Sequence, residues 1–72
     1  MPSASEELRE KMRKRFGDIS EYGPMTFLES KGYTFREDWH WDLPTPDHEI
    51  TPDEEDCIDF LIHEWDFGGI VD

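Results

Sequence analysis

The chain has 72 residues, 36% of them charged and 14% aromatic, with a formal net charge of −12. A lone cysteine, Cys57, rules out an internal disulfide framework, no apolar run approaches the roughly 18–20 residues of a membrane span, and no signal-like hydrophobic region precedes the first charges. One small cytoplasmic domain spanning 1–72 is therefore expected, and its ten aromatics must supply the core that a short, highly charged chain otherwise lacks.

In chain order, Ser3 followed three residues later by Glu6 offers a capping box. Leu8, Met12 and Phe16 then recur every four residues, and Gly17 suits the end of this N-terminal helix. Pro24 starts a short second helix that runs to Ser30 and stops at Gly32. From Tyr33 the period becomes two: Tyr33, Phe35, Trp39, Trp41 and Leu43 share one parity. A β-hairpin over about 33–43 is expected, with its tight turn at Arg36-Glu37-Asp38, or else one continuous strand, and in either case all of these aromatics share the core face. Pro44, Pro46 and Pro52 make a stiff, extended connector.

Thr51-Pro52-Asp53-Glu54 is a strong helix start, with a Thr cap, Pro in the first turn and Glu closing a capping box. At about 100° per residue, Cys57, Ile58, Leu61, Ile62 and Trp65 form one apolar arc of an amphipathic helix over about 52–66. Asp56, Asp59 and His63 hold its other side. Gly68-Gly69 is expected to stop this helix and free the tail. The fold class is α+β.

No cofactor or metal is expected. His40, His48, Cys57 and His63 are separated by eight, nine and six residues, which matches no short paired zinc spacing. The four adjacent acids Asp53 to Asp56 sit at a solvated helix start, where nothing drives two carboxyl pKa values apart for acid–base work. A non-catalytic protein is the reading.

Two family resemblances rest on short stretches. CIDFLIHEWD, from Cys57 to Asp66, resembles the late segment of MbtH-like proteins, small partners of peptide-synthetase adenylation domains, which show Cys-Leu-x-Tyr and then a tryptophan. The Ser-x-Trp-Pro segment of that family is absent, and the likeness reads as shared amphipathic patterning. The order short helix, Gly-aromatic, strands with one histidine, helix is similar to HicA-type toxin ribonucleases. That resemblance implies His40 as a catalytic residue on RNA. Asp38-Trp39 stands where the family has Gly-Ser, and the charge is opposite to what RNA binding needs.

Charge distribution carries the functional expectation. Five basic residues (Arg9, Lys11, Arg13, Lys14, Arg15) fall in the first helix, whereas Glu37 to Asp72 contains thirteen acidic residues and no Lys or Arg. Such a body repels phosphate backbones and attracts a basic protein surface, notably one that normally holds nucleic acid. The expected function is docking on a nucleic-acid-binding protein, as a nucleic-acid mimic and inhibitor of the anti-restriction or anti-CRISPR kind. Asp53, Glu54, Glu55, Asp56, Asp59 and Glu64 are the candidate phosphate mimics, and Phe60, falling among them, is either their apolar anchor or a flank of the core. Asp38, Asp42, Asp47 and Glu49 form a second patch, with His40 between the first two. The alternative is a homodimer or structural module, in which the basic helix of one copy docks on the acidic half of another.

Overall fold

A computed structural model describes residues 5–71. Its elements are α1 (Glu6–Phe16), α2 (Tyr22–Ser30), β1 (Thr34–Phe35), β2 (Trp41–Asp42) and α3 (Pro52–Trp65), with the two strands antiparallel. This is the α+β architecture the sequence implies, and each helix packs on the other two.

Local signals set the helix ends. The Leu8 N–H donates to Ser5 Oγ at 3.2 Å, so Ser5 caps α1, and Gly17 closes it at φ 88°. The capping box expected from Ser3 lies outside the described residues. Helix α2 begins two residues before Pro24, because the N–H groups of a first turn lack intrahelical partners and proline costs nothing there. At α3 the capping box forms in full. Glu54 N–H donates to Thr51 Oγ1 at 3.3 Å, and the Glu54 carboxylate accepts from Thr51 N–H at 3.1 Å.

The hairpin pairs Thr34 with Asp42 and Phe35 with Trp41. Arg36 N–H donates to the His40 carbonyl at 2.8 Å, and Trp39 N–H donates to the Arg36 carbonyl at 3.1 Å. Glu37, Asp38 and Trp39 thus make a three-residue loop whose last member takes the left-handed conformation such loops require, at φ 67°. That geometry overturns one expectation. Trp39 belongs to the loop and not to the strand face, and it is 58% exposed while Tyr33 and Trp41 are buried.

The tail is not free. Asp66, in the left-handed conformation, caps α3, and the chain then returns along β2. Gly68 N–H donates to the Trp39 carbonyl (2.7 Å), Trp41 N–H to the Gly69 carbonyl (3.1 Å), and Val71 N–H to the Trp41 carbonyl (2.9 Å). The segment behaves as a short parallel edge to β2 and covers a row of backbone groups that would otherwise be open to pairing.

The core combines Met12 of α1, Leu28 of α2, Tyr33, Trp41 and Phe67 of the hairpin side, and Cys57, Ile58, Phe60 and Leu61 of α3. Phe60 is fully buried, which removes it as an anchor for another protein. The buried arc of α3 is rotated towards Phe60 because α1 lies along that side. Trp65, expected in the core, is the last residue of the helix and is 40% exposed.

Candidate docking surface

The carboxylates around Phe60 meet the basic residues of α1. Arg9 Nε lies 3.4 Å from Glu64 Oε2, Lys11 Nζ 3.5 Å from Asp56 Oδ2, and Arg15 Nη1 3.4 Å from Asp53 Oδ1. Arg9, Lys11 and Arg15 thus run beside Glu64, Asp56 and Asp53, as two antiparallel helices demand. Phe60 lies in the core between these paired carboxylates. Three of the five basic charges of α1 are thus paired with α3 of the same chain. Arg13 pairs locally with Glu10.

Glu54 is likewise taken up internally. It is 2% exposed, and its carboxylate accepts from Thr51 Oγ1 at 2.8 Å and lies 2.9 Å from His48 Nε2. Because an ionised carboxylate only accepts, the ring proton sits on Nε2. Burial pushes this carboxyl up, but the hydrogen bonds from Thr51 and His48 outweigh it and hold the pKa at about 2. Edge-on to the His48 ring, 5.4 Å away, stands Tyr33. Burial and then the Glu54 charge drive its phenol up to about 12. The Tyr33 hydroxyl meets no partner at hydrogen-bond distance, and its polar influence comes from the neighbouring Glu54 carboxylate.

In the hairpin, Arg36 divides its guanidinium between Asp38 Oδ1 (3.6 Å) and Asp42 Oδ1 (3.3 Å). This arginine stands one residue before the base-free segment, so a count begun at Glu37 misses it. The His40 ring lies over Gly68, where an added Cβ would come within 2.5 Å of it, and its Nδ1 is 3.0 Å from the Asp38 carbonyl. Among the described residues no group of three or more His, Cys, Asp or Glu could hold a metal ion. Burial pushes the Cys57 thiol up to about 12, which fits a packing role. No described helix is long and apolar enough to cross a membrane.

Of the sequence-predicted acids, Asp47, Glu49, Glu55 and Asp59 make no ion pair among the described residues. Asp47 and Glu49 lie on the connector beyond β2, and Glu55 and Asp59 lie one turn apart on α3, Glu55 exposed and Asp59 half-buried near Lys11 and Leu8 of α1. The two pairs do not fall on one regular element, so a linear phosphate array along α3 is not what the fold presents. It presents a negative surface from which the basic helix has been subtracted.

A second feature escaped sequence reasoning. Tyr22, Met25, Phe35, Trp39, Trp65 and Phe67, with Glu21, line an open cleft of about 400 Å³. Trp39 stands edge-on to Phe35 (ring centroids 5.7 Å apart) and to Phe67 (5.2 Å). The available signal was the loop length: a three-residue hairpin loop takes its last residue off the strand face whatever the residue type.

No curated protein and no solved structure matches the chain. A family model, described as phage Pam3 gp59 related protein, matches residues 1–72. The chain belongs to the phage Pam3 gp59-related family.

Proposed function

We propose that this phage-family protein is a non-catalytic acidic docking protein whose target is a basic protein surface that otherwise holds nucleic acid. One observation carries the reading: Arg9, Lys11 and Arg15 are neutralised inside the fold, while Asp47, Glu49, Glu55 and Asp59 are not. In a chain of net charge −12, that leaves a negative field at the surface with little cationic relief. Family membership supports the target class, since the host proteins that handle phage nucleic acid carry basic surfaces. Inhibition of such an enzyme follows from occupancy of its nucleic-acid site.

The test is displacement. Host extract is loaded on a DNA column and washed with this protein, then with a variant neutralised at Asp47, Glu49, Glu55 and Asp59. Release of a DNA-binding protein by the native chain and its retention with the variant supports the proposal. No release, or equal release by both, overturns it.

A further inference from the structure

Among the described residues four large hydrophobic side chains are left exposed, and three of them, Tyr22 (72%), Trp39 (58%) and Trp65 (40%), line the same cleft. Scattered exposed apolar residues are ordinary, whereas three aromatics gathered in one concavity mark an interaction site. Trp39 is held there against its backbone preference. A left-handed φ is unfavourable for a bulky residue, and the exposure of the ring means that burial does not offset this in full. Strain of this kind concentrates where a side chain is displayed for binding.

Charge decides what the cleft takes. Its lining includes Glu21 and, among the described residues, neither Lys nor Arg. Aromatic faces carry negative potential, and an adjacent carboxylate adds to it, so the complementary occupant is a cation. The chain already uses this chemistry elsewhere: the Arg15 guanidinium lies 4.6 Å above the Phe27 ring centroid, and Lys31 Nζ lies 5.4 Å from it. Arginine is favoured over lysine because a planar guanidinium stacks on indole while its charge reaches a carboxylate. We infer that the Tyr22–Trp39–Trp65 cleft receives an arginine side chain of the protein on which this chain docks. The inference rests on the docking reading above and gives it a fixed point.

The probe is a short peptide with one central arginine between two lysines, compared with the same peptide carrying citrulline or leucine at the centre. Binding is followed by the indole N–H resonances of Trp39 and Trp65 in the full chain. The arginine peptide should bind on the order of fivefold more tightly than the other two. Trp39→Gly, which suits the left-handed φ, should abolish that preference, and Trp65→Ala should weaken it. Equal binding of the three peptides, or a preference that survives both variants, overturns the inference. If the peptide binds with steep salt dependence but without regard to Trp39, the cleft assignment fails and the docking reading stands. Binding that depends on Trp39 and ignores salt keeps the cleft and sinks the docking reading.

Discussion

Arg15 Nη1 lies 3.4 Å from Asp53 Oδ1 while the same guanidinium sits 4.6 Å above the Phe27 ring centroid. One side chain therefore ties the end of α1 to both α3 and α2. An exposed ion pair is worth about 0–1 kcal/mol and a cation–π contact about 0.5–1 kcal/mol. Arg15→Glu loses both and sets a like charge against Asp53, so a cost of roughly 1–2 kcal/mol is expected. Lys14→Glu, at a position with no ion pair among the described residues, should cost less than about 0.5 kcal/mol. Urea midpoints at an unchanged denaturant slope measure both, and equal losses would contradict the interhelical role.

The buried carboxylate sets an acid limit. The unfolded chain protonates Glu54 near its ordinary value of 4.5, whereas the folded chain does so only near 2. Its stabilisation is thus complete above about 4.5 and is lost as the pH falls towards 2. Glu54→Gln should cost about 1–3 kcal/mol at neutral pH, and its stability should approach that of the native chain within this acid window. Stability curves that stay parallel through the window would exclude the Thr51–Glu54–His48 network as the cause.

Gly23 offers a test in which the usual sign reverses. Ala for Gly within a helix ordinarily gains about 1 kcal/mol. Here an added Cβ would fall 2.6 Å from Phe16 Cγ and 2.7 Å from Phe16 Cβ, at the root of that side chain. Overpacking costs about 1–3 kcal/mol and should win. Gly23→Ala is expected to lower the thermal midpoint, and a raised midpoint would show that α1 and α2 have room to part.

At Trp39 the backbone and the ring can be separated. Ala and Gly both remove the contacts with Phe35 and Phe67, but only Gly accepts φ 67° freely. Trp39→Gly should therefore be more stable than Trp39→Ala by about 1 kcal/mol. Equal stability of the two variants would mean that the loop does not hold residue 39 in the left-handed region.

What could be read in the sequence follows the range of the interaction. The capping box at Thr51 and the close of α1 at Gly17 are local devices, and each forms where the residues indicate, whereas the hairpin forms with its turn shifted one residue on. The buried face of α3 is set by where α1 lies, a long-range fact that periodicity does not contain. That is why the sequence leaves Phe60 open between anchor and core flank, and the fold places it in the core. The candidate acids were visible as a group, but their division into paired and unpaired was not, since it depends on the same helix contact. Trp39 reads as a strand residue for a different reason: a tryptophan in a left-handed loop position runs against local preference, so alternation points to the strand face.

The most direct measurement for the docking proposal is the dependence of affinity on salt, for the complex with whichever DNA-binding protein this chain releases. The account predicts a steep fall in affinity with rising salt, and a shallower one when Asp47, Glu49, Glu55 and Asp59 are neutralised, because exposed charges are screened beyond about 8 Å at physiological ionic strength. A flat dependence, or the same slope for both chains, would contradict it.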